Sequence, residues 1–421
     1  MSSRAQRRGL DCKRAIGLGR AVEATPDRPT ETAIADSPAR LLPGEADAPP
    51  SDGVGLCLSG GGYRAMLFHL GTLWRLNEAS WLRRLDRVSS VSGGSVSAGV
   101  LALAWDRLGF DGDVATNFIE AVVEPLRNLA DHTIDISAVL RGALGPGSIA
   151  ERAAAAYREH LFGRATLQDL PAEGEGPRFV FNATSVQSGA LWRFSRTYMA
   201  DWRVGRIADP SMELASAVAA SAAFPPVLSP LTLDLSEEEW ITEPGNHLTD
   251  GDYRRRAVLS DGGVYDNLGL EAAWKRCRTI LISDGGGALA FDDDPDNDWP
   301  RHLFRVLGVI DGQVRALRKR QAIAAYQNGD RDGAYWGIRT QIGDYRLPDA
   351  LPAPPSATLA LAQVPTRLAA LEHPLQERLI NWGYAVCDAA MRAHVDPALP
   401  APSAFPYPRA GIESGEGEDG A

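Results

Sequence analysis

The amino-acid sequence predicts an α/β fold with a mainly parallel central sheet. Short apolar runs typical of buried strands are followed by glycine-containing turns, and then by segments whose apolar residues recur at helical spacing. This order of strand, turn and helix is repeated along the chain, and such alternation is typical of parallel sheets. We therefore expect the functional residues at the carboxyl ends of the strands.

The first two strand-turn-helix units are the clearest in the chain. VGLCLS, which begins at Val54, predicts a strand, and RAMLFHLGTLWRLNEASWL predicts the helix that follows. RVSSVS, which begins at Arg87, predicts the second strand, with a turn at Gly93 and Gly94 and a helix in SVSAGVLALAWDRL. Further strands are predicted in RFVFNATSV, LWRFSR, RRAVLSD and TILISD, and further helices in MELASAVAASAA and HLFRVLGVIDGQVRALRKRQAIAAYQ.

A single domain is predicted from about Val54 to Asp396. No Gly/Pro/Ser linker and no repeat of fixed period divides this part of the 421-residue chain. Residues 23–53 are rich in Pro, Ala, Asp, Glu and Thr, and residues 397–421 are rich in Pro, Gly and Glu. Disorder is therefore predicted for the two ends of the chain, residues 1–53 and 397–421. The basic start of the chain has no apolar region behind it, so it does not match a secretory signal.

Composition and charge argue against several classes of protein. The net charge of -11 predicts a surface that repels nucleic acid and anionic membranes. The four cysteines lie far apart without a C-x-x-C pair, which argues against a disulfide framework or thiolate zinc site and favours a reducing, cytoplasmic location. No run approaches the roughly 18 apolar residues of a membrane span, so any contact with lipid is expected to be peripheral.

A serine between the second strand and its helix is a candidate nucleophile. A nucleophile elbow places serine on a tight turn, with small residues two positions before and after it. Gly93-Gly94-Ser95-Val96-Ser97 has this pattern, and Ser95 is preferred because it follows the paired glycines directly. Ser97 is a rival by spacing, and a helix cap at Ser95 explains the motif equally well when it is taken alone.

A glycine loop follows the first strand. In Ser59-Gly60-Gly61-Gly62-Tyr63-Arg64, three glycines leave backbone N–H groups able to converge on an anion, with Arg64 adding positive charge. The loop matches neither the Walker P-loop nor the G-x-G-x-x-G motif. An oxyanion hole is therefore favoured over a nucleotide site.

Two aspartates are candidates for the general base. Asp261 in LSDGGVYDN and Asp284 in SDGGG each end a predicted strand before glycines, and spacing alone does not distinguish them. A Ser-Asp-His triad would need a late histidine, such as His302, His373 or His394. None of these three histidines lies in a glycine-rich loop at a strand end.

Two further motifs are less informative. The acidic run from Asp292 to Asp298 fails the EF-hand template, since its sixth and twelfth positions are Asn297 and Leu303, and a solvated loop is expected. FPPVL, which begins at Phe224, can line an acyl-chain pocket or belong to the core. The sequence leaves these two alternatives open.

Five blocks resemble, in order, those of the patatin-like phospholipases. They are LCLSGGGYRAMLFHLGTL, VSSVSGGSVSAGVLA, NATSVQSG, AVAASAAFPPVLSP and LSDGGVYDNLGL. QVPTRLAAL and LINWGYAVCDAAM resemble the bacterial branch of the family, so the resemblance extends from about Val54 to Met391. It implies a single-domain, three-layer α/β/α hydrolase related to the cytosolic phospholipase A type.

The resemblance also implies a Ser-Asp dyad without histidine. Its residues are Ser95 as nucleophile, Asp261 as base, and Gly60, Gly61 and Gly62 as the oxyanion loop, with Arg64 beside it. Asp284 then has a structural role. Ser59, where many plant-type members have aspartate, and the G-x-S-x-S form of the elbow match the cytosolic type, and they bear on substrate preference more than on mechanism.

The implied function is hydrolysis of carboxylic esters of lipids or phospholipids through an acyl-enzyme, with release of fatty acid. No metal or organic cofactor is expected, and the expected partner is lipid at a membrane surface rather than nucleic acid. Two alternatives on the same fold are a lipid acyltransferase and a regulatory module that binds a lipid or nucleotide without turnover.

Overall fold

The structure is a computed structural model that describes residues 50–134, 149–226, 228–296 and 298–413. Most of the N-terminal segment that was predicted to be disordered, residues 1–49, lies outside the described residues, as do residues 414–421 of the C-terminal one. Val227 of the proline-rich block and Asn297 of the acidic run also lie outside them.

The strands of the described residues form one large sheet and one short hairpin. The strands are β1 Ser51–Leu58, β2 Leu85–Ser90, β3 Phe110–Asp111, β4 Val114–Ala115, β5 Arg178–Ser185, β6 Leu191–Phe194, β7 Tyr198–Asp201, β8 Gly205–Ala208, β9 Leu231–Asp234, β10 Trp240–Ile241, β11 Arg256–Asp261, β12 Cys277–Asp284 and β13 Asp332–Gly337. β3 and β4 make the hairpin, and the other strands belong to the sheet.

The centre of the large sheet is parallel, which confirms the predicted fold class. β5, β2, β1, β12 and β13 lie side by side in this order, and each neighbouring pair is parallel. Beyond β5 the sheet continues antiparallel through β6, β7, β8 and β10. β11 also pairs antiparallel with β5, and β9 pairs with β11. The sequence did not predict this antiparallel half.

Helices cover both faces of the parallel strands. They are α1 Gly62–Glu78, α2 Gly93–Ala104, α3 Glu124–Ala130, α4 Ile149–Tyr157, α5 Leu214–Ser221, α6 Gly251–Arg255, α7 Gly263–Asp266, α8 Glu271–Trp274, α9 Trp299–Asn328, α10 Pro355–Gln363 and α11 His373–His394. Along β1, Leu56 and Leu58 face the larger core with α1, α2 and α11, whereas Cys57 faces a smaller core with α8 and α9. This alternation places the sheet between two helical layers.

Close packing of α1 against α11 fixes the larger core. A Cβ at Gly71 would lie 2.0 Å from the Ile380 carbonyl oxygen, and a Cβ at Gly383 would lie 1.9 Å from that of Phe68. Only glycine allows the two backbones to approach this closely. The position of α1 matters for function because this helix begins directly after the glycine loop.

The segment after Asp396 was predicted to be disordered, but the structure describes it up to Glu413. It contains no helix or strand, but Asn381 of α11 donates hydrogen bonds to the carbonyl oxygens of Tyr407 and Gly411 at 2.8 and 2.7 Å. Ile412 is buried. A few apolar side chains spread among prolines are enough to hold this segment against the core, although its average composition is typical of disorder.

Among the described residues, no helix has both the length and the apolar character needed to cross a bilayer.

Candidate active site

The turn between β2 and α2 contains one strained residue, Ser92. β2 ends at Ser90 and α2 begins at Gly93, and Ser92 between them has φ 53° and ψ -121°. A non-glycine residue with positive φ is costly unless the surrounding structure holds it, and a nucleophile elbow is such a strained strand-to-helix turn. The backbone therefore identifies Ser92 as the residue at the elbow.

The glycines after Ser92 bring the elbow against the glycine loop. A Cβ at Gly93 would lie 2.2 Å from the Gly62 carbonyl oxygen, and a Cβ at Gly94 would lie 2.5 Å from that of Leu58. Likewise, a Cβ at Gly60 would lie 3.1 Å from the Cβ of Ser92. These close approaches place Ser92 directly beside the candidate oxyanion loop.

Ser95 occupies a different position from the one predicted. It lies in the first turn of α2 and is fully buried, and its hydroxyl hydrogen-bonds to the hydroxyls of Ser90 at 3.0 Å and Ser221 at 2.8 Å. The rival Ser97 donates to the Met66 carbonyl oxygen at 2.9 Å. The prediction placed the turn at the paired glycines, whereas they already belong to the helix, so the elbow lies three residues before Ser95.

Sheet register brings Asp261 to the elbow. β2 and β11 lie on the same edge of β5, where Ser90 pairs with Phe181 and Asp261 pairs with Ala183. Two residues along a strand correspond to about 7 Å, so the carboxyl ends of β2 and β11 meet there. An aspartate and a strained serine, far apart in sequence, thus become neighbours.

The Asp261 carboxyl group is buried, and burial raises its pKa to about 7. A hydrogen bond from the Gly263 N–H to Oδ1, at 2.6 Å, favours the charged form and partly offsets this rise, and so does the nearby Ser92 side chain. Oδ2 of Asp261 has no hydrogen-bond partner among the described residues. Catalytic hydrogen bonds often tighten only when substrate binds.

The glycine loop offers two N–H groups to an anion. The Gly60 N–H donates to the Asn267 carbonyl oxygen and the Tyr63 N–H to that of Arg367, both at 3.1 Å. Between them, the N–H groups of Gly61 and Gly62 have no acceptor among the described residues. Gly61 and Gly62 have φ 149° and 61°, conformations that favour glycine. Of the three predicted oxyanion glycines, the structure thus leaves two with free donors.

Arg64 lies beside this loop. Its Nε donates to the Gly285 carbonyl oxygen at 3.2 Å and its Nη1 donates to that of Val364, while its Nη2 is buried without a partner. Burial lowers the pKa of the guanidinium to about 10, so Arg64 stays charged at neutral pH. A Cβ at Gly61 would lie 3.1 Å from Nη2, which puts the unpaired donor next to the loop.

Asp284, the rival base, is held in ion pairs. Its carboxylate lies 2.5 Å from Lys319 Nζ and 3.5 Å from Arg315 Nη2, and it accepts a hydrogen bond from the Tyr335 hydroxyl at 2.9 Å. Although burial opposes it, the nearby charges of Lys319 and Arg315 hold the pKa of Asp284 well below its ordinary value. A carboxylate stabilised in this way is a poor proton acceptor, which argues against Asp284 as the general base.

The late histidines are remote from this arrangement. His302, His373 and His394 are exposed. His373 pairs with Asp131, and the ring of His394 contacts Tyr345. No histidine completes a triad at Asp261 in the described part of the chain.

A buried histidine instead fastens the glycine loop to the sheet. His69 Nδ1 lies 2.8 Å from the Ser283 hydroxyl, and His69 Nε2 lies 2.9 Å from the Ser59 carbonyl oxygen. Burial lowers the pKa of His69 to about 4, so the ring is neutral at physiological pH. Its two hydrogen bonds link the loop to the end of β12.

Two residues that the sequence analysis did not single out hold important positions. Ser92 has a local signal, because Ser90-Val91-Ser92-Gly93-Gly94 also has small residues two positions before and after a serine. Ser221 accepts a hydrogen bond from the Ser92 N–H at 3.0 Å and donates one to the Asn182 carbonyl oxygen at 2.7 Å. It fixes the elbow through contacts that only the folded chain makes.

The proline-rich block follows directly after a contact with Asp261, and its last residue, Leu228, belongs to the core. The Asp261 N–H donates to the Ala223 carbonyl oxygen at 2.8 Å, and the following Phe224 is exposed. A separate cavity of about 900 Å³ lies at the amino ends of the parallel strands, near Ser51, Arg87 and Cys277. Neither Ser92 nor Asp261 lines that cavity, so it is not part of the candidate active site.

One family of known proteins matches this chain, and several solved structures are distantly similar to it. The family model of the patatin-like phospholipases matches residues 56–274. No curated protein matches the chain significantly. Human GIVD cytosolic phospholipase A2 in complex with methyl gamma-linolenyl fluorophosphonate is 15% identical, over 80% of this chain and 57% of that chain, with a TM-score of 0.47.

Two other solved structures are similarly distant. A second structure of human GIVD cytosolic phospholipase A2 is 12% identical, over 84% of this chain and 63% of that chain, with a TM-score of 0.44. VipD from Legionella pneumophila is 16% identical, over 82% of this chain and 68% of that chain, with a TM-score of 0.34. The chain spans between 42% and 63% of the length of the human structures that it matches.

Proposed function

We propose that this chain, which belongs to the patatin-like phospholipase family, is a lipid acyl hydrolase that cleaves carboxylic esters with Ser92 as nucleophile and Asp261 as general base. The observation that carries the proposal is the strained Ser92 at the end of β2, placed beside the Asp261 carboxyl group and the glycine loop. Ser95, the serine first expected in this role, then supports the elbow through Ser90 and Ser221.

The first half of the reaction forms an acyl-enzyme. Asp261 takes the proton of Ser92 as its Oγ attacks the acyl carbonyl, and the negative charge develops on the carbonyl oxygen. The N–H groups of Gly61 and Gly62, with Arg64 Nη2 beside them, stabilise this oxyanion. The protonated Asp261 then gives its proton to the leaving alcohol oxygen as the ester bond breaks.

The second half releases the product. Asp261, again ionised, takes a proton from a water molecule that attacks the acyl carbonyl, and the same donors hold the second oxyanion. Collapse of this intermediate returns the proton to Ser92 and frees a fatty acid. All the groups used here are side chains and backbone amides of the chain, so the mechanism assigns no step to a metal or organic cofactor.

The substrate that we propose is an ester of a lipid or phospholipid, met at a membrane surface. An alcohol that replaces water in the second half would make the same acyl-enzyme a transacylase. A regulatory module that only binds lipid would form no acyl-enzyme. The products formed from a mixed-lipid extract, compared with a Ser92→Ala blank, distinguish these three activities. Free fatty acid indicates hydrolysis, a new acyl ester indicates transacylation, and neither product is formed by a binding module.

We expect a fluorophosphonate to label a single serine, Ser92. Phosphonylation requires an activated hydroxyl beside donors that can hold the phosphoryl oxygen, and Ser92 has both Asp261 and the glycine loop. Peptide mapping by mass spectrometry locates the adduct. Labelling should persist in Ser95→Ala and disappear in Ser92→Ala, and an adduct on Ser95 would return the nucleophile to the position first predicted.

We expect kcat/KM for a soluble ester to rise with pH and to level off above about pH 7. The base works only when ionised, and burial raises the pKa of Asp261 to about 7, so the active fraction falls about tenfold for each pH unit below that value. Rates measured from pH 5 to 9 test this dependence. An acid limb near pH 4 would mean that the base is an ordinary, solvated carboxylate.

A further inference from the structure

The outward face of α9 is the largest group of exposed apolar side chains in the described residues. The helix is 30 residues long, yet its two fully packed residues, Ala322 and Ala325, both lie in the last third. Apolar residues three or four positions apart form a stripe along the remainder, and Trp299, Ile310 and Leu317 on it are 78%, 53% and 59% exposed. Its members are Trp299, Leu303, Val306, Leu307, Ile310, Val314 and Leu317.

Helix α9, which carries this apolar face, contacts the domain next to the candidate active site. Lys319 and Arg315 of α9 pair with Asp284 at the carboxyl end of β12, and Arg315 Nη1 donates to the Gly287 carbonyl oxygen at 2.6 Å. A Cβ at Gly287 would lie 3.1 Å from Arg64 Nη2, the unpaired donor beside the glycine loop. The stripe therefore begins near the carboxyl ends of the parallel strands, where Ser92 also lies.

The chemistry of the face favours a lipid surface as its occupant. α9 carries six basic residues and one acidic residue. A helix with aromatic and aliphatic residues along one exposed face is suited to the interface plane of a bilayer. Ion pairs of Arg315, Arg318 and Lys319 hold another side of α9 against the domain. Phe291, which precedes the helix, is fully exposed, and Trp299 is the first residue of the helix. Aromatic side chains are typical of the membrane–water interface, so this end of α9 is suited to the headgroup layer.

Charged side chains next to the helix favour one class of lipid headgroup over another. The segment that leads into α9 contains five exposed aspartates, which are Asp292, Asp293, Asp294, Asp296 and Asp298. Together with the net charge of -11, these carboxylates repel an anionic surface, whereas a zwitterionic headgroup offers them an ammonium group. The exposed groups thus complement a zwitterionic surface better than an anionic one.

We infer that the apolar face of α9 docks the protein on a zwitterionic lipid surface, beside which ester groups reach Ser92. This inference rests on the proposed lipid hydrolase function, because it takes the active site to draw its substrate from that surface. A second copy of the chain is the competing occupant. The following experiment discriminates between the two.

The test uses the full-length protein and phosphatidylcholine vesicles. The variant combines Leu303→Ser, Ile310→Ser and Leu317→Ser, which removes apolar surface without adding charge and leaves the ion pairs of Arg315 and Lys319 intact. The control combines Ile119→Ser and Val186→Ser, which are similarly exposed but lie outside α9. Vesicle co-sedimentation, light scattering in solution, and rates on a soluble ester and on vesicle lipid are measured for each protein.

We expect the α9 variant to bind vesicles at least tenfold more weakly than the wild type and the control, with hydrolysis of vesicle lipid reduced in parallel and the soluble-ester rate unchanged. We also expect replacement of part of the phosphatidylcholine by phosphatidylglycerol to weaken binding of the wild type. Unchanged vesicle binding in the α9 variant would overturn the inference, and so would binding that requires phosphatidylglycerol.

Two further outcomes keep the inference separate from the proposed function. If the wild type is a dimer, the α9 variant is a monomer and both bind vesicles equally well, a second copy of the chain occupies the face and the inference fails. If the wild type binds vesicles through α9 but hydrolyses neither vesicle lipid nor soluble ester, the docking surface is supported and the proposed hydrolase function fails.

Discussion

Ser92→Ala is expected to lower kcat/KM for a soluble ester by on the order of a thousandfold or more, because it removes the nucleophile. Ser95→Ala is expected to stay within about tenfold of the wild type. Among the described residues, the Ser95 hydroxyl bonds to Ser90 and Ser221. Each such bond contributes about 1 kcal/mol of stability, so the substitution weakens the fold but removes no reacting group. Steady-state rates at pH 8, with circular dichroism as a check of folding, measure both effects.

The pair is informative because both changes remove one hydroxyl from a serine of the same turn and helix. Ser97→Ala serves as the matched control, since its hydroxyl donates to the Met66 carbonyl oxygen. A folded Ser95→Ala protein as inactive as Ser92→Ala would show that the hydroxyl behind the elbow is indispensable. Full activity in Ser92→Ala would remove Ser92 from the mechanism altogether.

Asp261→Asn is expected to abolish activity to the same level as Ser92→Ala while making the protein more stable. The amide has the shape of the carboxyl group, and its oxygen can still accept from the Gly263 N–H, but it does not take a proton from Ser92. Because base and nucleophile act as one unit, the double variant should be no less active than either single one. Rates of the three variants on one soluble ester test this lack of additivity.

The gain in stability should depend on pH. The folded pKa of Asp261 is raised to about 7, above the unfolded value near 4, so the unfolded chain loses its proton first as pH rises. The cost of holding the ionised group in the fold is therefore absent at low pH, grows between about pH 4 and 7, and is complete above that range. Asp261→Asn removes this cost.

Urea unfolding at pH 8 should show a free energy of unfolding higher than that of the wild type, by on the order of a few kcal/mol. At pH 5 the difference should be much smaller, because the folded wild type is then protonated at Asp261. A variant that is less stable at pH 8 would mean that the carboxylate supports the fold, and that its loss of activity has a structural cause.

Local sequence was sufficient for the parallel half of the fold and for several parts of the candidate site. The alternation of apolar strands, glycine turns and helical spacing predicted β1, β2 and β12 with the helices that follow, and the long helix predicted at 302–327 is α9, Trp299–Asn328. The sequence also indicated the glycine loop between β1 and α1 and the position of Asp261 at the end of β11. These features depend on periodicity and turn chemistry, which neighbouring residues determine.

The choice of serine depended on tertiary structure. Ser92 and Ser95 both have small neighbours, and what distinguishes them is where β2 ends, which its pairing with β5 decides. The same strand receives β11 on the same edge and so brings Asp261 to the elbow, although Asp261 and Ser92 lie in distant parts of the sequence. Register between distant strands is a nonlocal property, and a single sequence does not reveal it.

Packing of amphipathic segments also depended on tertiary structure. The periodicity of α9 predicts a helix but not whether its apolar face is covered. The structure leaves that face exposed, and Ala322 and Ala325 are the only buried residues of this helix. Conversely, the segment around Tyr407 has the composition of a disordered end, yet hydrogen bonds from Asn381 hold it against α11. The sequence by itself thus determined which strands and helices form and which residue types end the strands. Only the tertiary structure decided which of those residues meet and which apolar faces stay exposed, because burial and strand register arise from contacts between distant segments.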